Sequence, residues 1–378
     1  MFRQRKDLQG EDIMLYKDFQ GEKLSELGYG LMRLPVINGD DAAIDEKEAE
    51  RLIDYAYNNG INYFDTAWGY HEGNSEIVVG KYLTKYPRES YKLASKFPGY
   101  DLTLFPYCEE IFDKQLEKCK TDYFDFYLFH NLSEINVDAY LDPKFHIYES
   151  LIERKRQGKI KHLGLSTHAT PECLKRFLDA YGDDIEFCQI QLNIMDWEFQ
   201  RANEVVEMLR ERNIPVWIME PLRGGGILDL ASVKECFDFI RSIDDVSVIL
   251  SGMSTMDQLK ENIEIFSNEY EMSKEKFDEL AKKAADKLSS GIVPCTACHY
   301  CTPKCPLDLD IPFLLANRNQ FFSCENDFIA PMAIGSLDKN KKPWSCIGCG
   351  KCKQVCPQKI EIPKVLEEFS KALKKAID

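Results

Sequence analysis

Between residue 27 and about residue 265, short runs of β-branched and aromatic residues alternate with longer amphipathic stretches, and the alternation repeats eight times. The short runs, at 27–31, 62–66, 91–96, 124–129, 160–166, 187–191, 215–219 and 247–250, are predicted as strands. The stretches between and after them, at 47–58, 75–84, 110–120, 147–157, 171–181, 202–212, 232–243 and 257–266, carry apolar residues at helical spacing. Eight strand–helix units in about 240 residues match an α/β fold of the (β/α)8 TIM-barrel type, whose usual size is about 250 residues. A doubly wound open sheet is the competing arrangement, but eight even repeats favour closure. The chain has 378 residues, 44% of them hydrophobic, which is enough for such a core and an appended unit.

A further charged helix, at 273–288, leads through Ser289, Ser290 and Gly291 into the remainder, so the expected domains are 1–288 and 289–378. The remainder carries Cys295, Cys298, Cys301 and Cys305-Pro306, then Cys346, Cys349, Cys352 and Cys356-Pro357, the same spacing twice. A thiolate at every third residue wraps the backbone round one iron–sulfur cubane, while the fourth cysteine, followed by proline, is directed elsewhere. Two 4Fe–4S clusters in a small C-terminal ferredoxin-like domain are therefore expected. Zinc would need only two such knuckles per ion and has no use for the third cysteine or the trailing Cys-Pro. A disulfide framework fits less well. The chain opens MFRQRKDLQGEDIML without an apolar signal-peptide core, and no run is long enough to span a membrane. The expectation is a cytoplasmic protein in which Cys108, Cys119, Cys173, Cys188, Cys236 and Cys324 are reduced packing residues. Between the cysteine runs a helix is expected at 311–322 and an irregular loop at 328–344, whose KNKKPW stretch reads as a short basic loop. A terminal amphipathic helix at 362–377 has an apolar face that could dock on the barrel. A net charge of −15 argues against nucleic acid or an anionic membrane as partner.

In a barrel of this type, active-site residues stand where strands end. Asp65 ends the second candidate strand, with Tyr70 five residues on; Lys96 ends the third and His130 the fourth. Asp, Tyr, Lys and His converging on one mouth make a proton-donating site for a carbonyl. A phenol titrates near pH 10, and an adjacent ammonium favours the phenolate, so Tyr70 becomes a usable general acid. Asp65 would hold Lys96 charged, and His130 would orient the substrate oxygen. His168, Trp197 and Arg223 also lie near predicted strand ends.

At these residues the chain resembles the aldo-keto reductases, in particular the branch with a C-terminal ferredoxin-like extension. The likeness is carried by Leu27 to Pro35 (LGYGLMRLP), Asp65 to Tyr70 (DTAWGY) with Ser75, Glu76 and Gly80, Gly164 to Thr167, Gln189 to Gln191, and Glu220 to Gly225 (EPLRGG). The resemblance implies that Asp65, Tyr70, Lys96 and His130 form the catalytic tetrad. It also implies a nicotinamide cofactor lying across the mouth past Gly30 and Met32, with Ser166, Thr167 and Gln189 near the carboxamide. Met219 would lie under the ring, Pro221, Leu222 and Gly224 round the pyrophosphate, and Gln258, Glu261 and Asn262 at the adenosine end. Met219 stands where a tyrosine is usual and Thr167 where an asparagine is common. The loop Ser251 to Thr255, with Gln258, offers no cation for a 2′-phosphate, so both NAD(H) and NADP(H) remain open. Likeness to two-cluster ferredoxins implies crossed ligand sets, Cys295, Cys298, Cys301 and Cys356 for one cluster and Cys346, Cys349, Cys352 and Cys305 for the other.

The expected activity is interconversion of a small-molecule carbonyl and alcohol, with the clusters relaying electrons to or from a ferredoxin-like partner. A hydride carries two electrons and a cluster moves one. A flavin at a mouth lined by Met219 and Trp217, a substrate radical, or clusters that are purely structural would each resolve the mismatch. The alternative from another class is a nucleotide-binding electron-transfer or regulatory protein without carbonyl turnover.

Overall fold

The computed structural model describes residues 14–134, 136–289, 291–323, 329–335 and 337–377. The opening segment, Ser290 and Cys324 lie outside them. The chain forms two compact units, one of residues 1–221 and 233–273, the other of residues 222–232 and 274–378. The second unit thus holds residues 222–232 as well as the stretch from Lys274 onward.

In the first unit, strands β1 (Tyr16–Phe19) and β2 (Glu22–Ser25) pair as an antiparallel hairpin. Eight further strands follow: β3 (Leu27–Gly30), β4 (Tyr63–Asp65), β5 (Lys92–Phe97), β6 (Phe124–Leu132), β7 (Ile160–Thr167), β8 (Cys188–Gln191), β9 (Val216–Met219) and β10 (Val246–Ser251). They close into a barrel in chain order, β10 pairing with β3, with every pairing parallel. All eight expected strands are present, and the intervening helices occur as their periodicity requires. Helix starts are chemically marked: Asp45 caps the helix Glu46–Asn58 through the Glu48 N–H, and Thr170, followed by Pro171, caps Pro171–Tyr181.

The lower barrel is filled by Tyr63, Phe126, Phe187 and Trp217, closed from below by Phe19 and Leu24 of the hairpin. Phe19 and Trp217 meet edge to face at 5.0 Å. Trp217 therefore does not line the mouth, as the sequence reading supposed. Side chains two apart on a strand share a face, so Trp217 and Met219 both point inward, Trp217 one layer deeper.

In the second unit, Leu309, Ile311, Leu314, Ile334, Ile360 and Leu366 form a core to which the helices Ile311–Ser323, Ile329–Gly335 and Ile362–Ile377 contribute. The buried Leu366, Phe369 and Leu373 of the terminal helix belong to this core, so its apolar face is used within its own unit. The segment read as an irregular loop at 328–344 instead contains a helix, whose Ala330 and Ile334 are buried.

Candidate functional site

Asp65 ends β4 and Lys96 lies one residue before the end of β5; both are almost wholly buried. An ammonium has three N–H donors, and the three polar neighbours of Lys96 Nζ account for them. They reach Asp65 Oδ1 at 2.5 Å, the Thr66 carbonyl at 2.7 Å and the Tyr70 hydroxyl oxygen at 3.3 Å. Because the Tyr70 oxygen accepts from Lys96, the phenol's own proton is directed away from it. Burial pushes Lys96 down from its ordinary 10.5 while Asp65 holds it up, and burial pushes Asp65 up while Lys96 holds it down. With the ammonium fully hydrogen-bonded, the pair is retained in its charged form.

His130 sits beside this group, its ring edge-on to Tyr70 at 6.1 Å and to Tyr100 at 5.5 Å. Burial, with the Lys96 charge next, holds it well below its ordinary 6.5, so the imidazole is neutral. Its Nδ1 is buried with no hydrogen-bond partner among the described residues. The β6–β7 register shifts between Phe129 and Leu132, where Asn131 takes φ 57°. This bulge, invisible in the sequence pattern, re-aims the chain at His130. Tyr100 was also missed. Its hydroxyl lies 2.2 Å from where a β-carbon of residue 69 would stand, so only glycine at 69 admits it. The signal was present as the Gly69 that precedes Tyr70.

Of the expected cofactor residues, Ser166 and Gln189 are directly paired on β7 and β8. Ser166 Oγ accepts the Asn131 N–H at 3.0 Å, and Gln189 Nε2 approaches Met219 Sδ at 3.6 Å. Gln189 Oε1 is buried with no partner among the described residues, an acceptor suited to a carboxamide N–H. Thr167 is turned to backbone work, donating to the Leu132 carbonyl and accepting from the Ala169 N–H. Gly30 ends β3, half-buried, and Met32 follows in a short turn. Asn262 donates to Ser251 Oγ at 3.0 Å, while Gln258 completes a capping box with Thr255 and Glu261 is exposed on the helix Met256–Phe266. Pro221 is the last residue of the first unit before the chain passes to the second, to which Leu222 and Gly224 belong.

The loop after β10 carries no cation of its own, but one comes near it from another segment. Arg33, beyond β3, lays its side-chain carbons 3.0 to 3.1 Å from where a β-carbon of Gly252 would stand, and its guanidinium is 3.8 Å from Glu220. A scan along one loop cannot find a charge brought from a distant one. A second polar network also went unread: Gln191 and Asn193 both donate to the buried Asp196 carboxylate, and His168 hydrogen-bonds Gln191. Trp197 packs against Phe239, and Arg223 is buried in the second unit, donating to Gln358 Oε1 at 2.7 Å.

In the second unit, Cys295, Cys298, Cys301 and Cys356 line one cavity, and Cys305, Cys346, Cys349 and Cys352 another. Among the described residues no three or more His, Cys, Asp or Glu close round a single-ion point. The two loops share a backbone signature. Ala297 and His299 in the first run, and Gly348 and Gly350 at the matching places in the second, all have positive φ, as do Asp308 and Lys359 after the two Cys-Pro pairs. Burial pushes the Cys356 thiol up, while the backbone N–H groups of Ile360, Gln358 and Lys359 favour the thiolate. The Ala297 N–H donates to Cys295 Sγ at 3.4 Å. Donors already aimed at sulfur fit thiolates that ligate iron.

The aldo/keto reductase family description matches residues 26–236, more than half of the chain. The chain belongs to the aldo/keto reductase family. A 4Fe-4S dicluster domain matches residues 294–361. Over 218 residues, the chain is 30% identical to the probable aldo-keto reductase 1 of Glycine max, a match covering 54% of this chain and 58% of that protein. Over 222 residues it is 28% identical to the NADH-specific methylglyoxal reductase of Escherichia coli, covering 53% and 65%. It thus spans less than two thirds of either relative. An aldo-keto reductase from Bacillus halodurans in its holo form shares the fold at 24% identity and a TM-score of 0.59, covering 71% of this chain and 96% of that one. One from Brucella melitensis does so at 21% and 0.54, covering 71% and 99%. These aldo/keto reductase structures match the barrel fold described above, and no described helix is long and apolar enough to cross a membrane.

Proposed function

We propose that this protein interconverts a small carbonyl and its alcohol at Asp65, Tyr70, Lys96 and His130. The carrying observation is the allocation of the Lys96 donors to Asp65, Thr66 and Tyr70 in a buried cluster beside a neutral His130. In reduction, a nicotinamide held near Ser166, Gln189 and Met219 would supply hydride to the carbonyl carbon. Tyr70 gives its hydroxyl proton to the carbonyl oxygen, and Lys96, fixed by Asp65, stabilises the phenolate left behind. Neutral His130 donates one N–H to the same oxygen and sets its angle. Tyr100 packs edge-on against His130 and backs its ring.

Either NADH or NADPH fits Gln189; the relative named an NADH-specific methylglyoxal reductase makes NADH with methylglyoxal the first pair to assay. The second unit would hold two 4Fe–4S clusters through the two cysteine sets, and these clusters would supply one-electron transfer with a ferredoxin-like partner. Tyr70→Phe tests the assignment. It is expected to lower kcat by about 10²-fold or more, since general acid catalysis typically contributes that much, while nucleotide affinity is kept. Unchanged turnover would remove Tyr70 from the acid role.

A further inference from the structure

The two cysteine cavities differ in their surroundings. Cys301 and Cys352, at matching places of the two runs, are both buried, but Cys349 is exposed where its counterpart Cys298 is half-buried, and near Cys349 in the chain Ile347 is 65% and Trp344 37% exposed. Large apolar side chains so exposed next to a cluster ligand form a small apolar centre. Charge changes there too. In a chain of net charge −15, residues 337–359 carry Lys339, Lys341, Lys342, Lys351, Lys353 and Lys359 against one acid, Asp338. Around the first run, residues 291–310 carry one lysine and two aspartates.

Part of this charge, with a lysine of the terminal helix, lies about the apolar centre. Lys342 and Lys374 lie 5.6 and 5.9 Å from the Trp344 ring, and Lys341 donates to the carbonyls of Leu307 and Asp308, where Leu307 lines the same cavity as Cys349. Lys353 is neutralised by Glu361 at 2.6 Å, but Lys339, Lys342, Lys351 and Lys374 have no carboxylate within 4 Å among the described residues. The barrel's surface lysines are commonly paired, as Lys85 is with Asp54 and Lys155 with Glu186. The KNKKPW stretch is therefore more than a solvated loop.

We infer that the face over Ile347 and Trp344 is the docking surface for a small acidic electron-carrier protein, which the lysine ring steers onto the exposed edge of the second cluster site. The inference rests on the proposed electron relay and names its partner class. A positive ring on an otherwise acidic protein attracts an acidic carrier to one place and repels it elsewhere, which gives a fast, salt-sensitive, single-orientation encounter. Each encounter oxidises the carrier by one electron and reduces the second unit by one, with no bond made or broken.

The test uses the full-length, anaerobically prepared holoprotein and an acidic bacterial ferredoxin with two 4Fe–4S clusters as probe. Kd is measured across a salt series, with iron and sulfide assayed in each variant. Binding is expected to weaken as salt rises, and Lys339→Glu with Lys342→Glu to weaken it by about tenfold or more at low salt. Lys47→Glu with Lys114→Glu, the same change in net charge on exposed barrel helices, is expected to leave it within about twofold. Absence of binding by cluster-loaded protein at low salt, an unchanged Kd in the first double variant, or equal losses in both would each overturn the inference. Carbonyl reduction with NADH is measured alongside: its failure with normal ferredoxin binding counts against the catalytic reading and not against the docking face.

Discussion

At the scale of residues, the site is a buried ammonium whose three donors are all committed. In the proposed reaction Lys96 is protonated to stabilise the phenolate, and its pKa is pushed below 10.5 by burial. As pH rises through that lowered value the ammonium is lost, so kcat/KM should fall on the alkaline side at a pH below an ordinary lysine's. Asp65 must be ionised, and burial raises it above 3.8, so an acid limb should lie above that value. A pH–rate profile checks both, and the macroscopic values belong to the coupled cluster. Lys96→Met should abolish the alkaline limb along with most of the rate. Gly69→Ala should displace Tyr100, whose hydroxyl occupies the space of the new methyl. The expected result is a several-fold higher KM for the carbonyl with a smaller change in kcat, because Tyr100 packs against the His130 ring that would orient the carbonyl without itself joining the proton transfer.

At the scale of elements, the barrel's rhythm was legible because strands and helices repeat with different periods, and that alone placed Asp65, Lys96 and His130 on one rim. The hairpin Tyr16–Ser25 was not legible: two four-residue strands joined through Gln20 and Gly21 carry too little pattern, although Phe19 and Leu24 complete the core. The bulge at Asn131 and the reach of Arg33 to Glu220 depend on pairings between distant segments, which no local window contains. In the cysteine region, spacing stated the chemistry but left the helix Ile329–Gly335 hidden beside a loop-like composition. Two stability predictions belong here. Trp217→Ala should cost about 3–5 kcal/mol in denaturant unfolding, since it empties a packed layer bounded by Phe19, Phe126 and Phe187. Ala297→Gly should stabilise the second unit by up to about 1 kcal/mol, because Ala297 holds φ 52° where the matching residue of the second run is already glycine.

At the scale of the whole molecule, two neutral histidines, His130 buried and His168 half-buried, link stability to pH. His130 is held well below 6.5, and His168 is lowered to about 4, in each case chiefly by burial. The unfolded chain therefore binds more protons below pH 6.5, and the contribution is full above that pH and is lost as pH falls toward the folded values. The urea midpoint of the first unit, followed by tryptophan fluorescence, should decline from pH 6.5 downward; a flat midpoint would show that these imidazoles are solvated.

Two chemistries are joined in one chain, and the proposed function stands on one step, a hydride passing to a carbonyl at the barrel mouth while Tyr70 supplies the proton. The most direct test is an anaerobic reaction of the holoprotein with methylglyoxal and NADH carrying deuterium at the transferable position, the product being analysed for label. Deuterium on the carbinol carbon, formed by the natural chain and about 10²-fold more slowly by Tyr70→Phe, is the predicted result. Alcohol formed without label, or labelled at the same rate by both proteins, would contradict it.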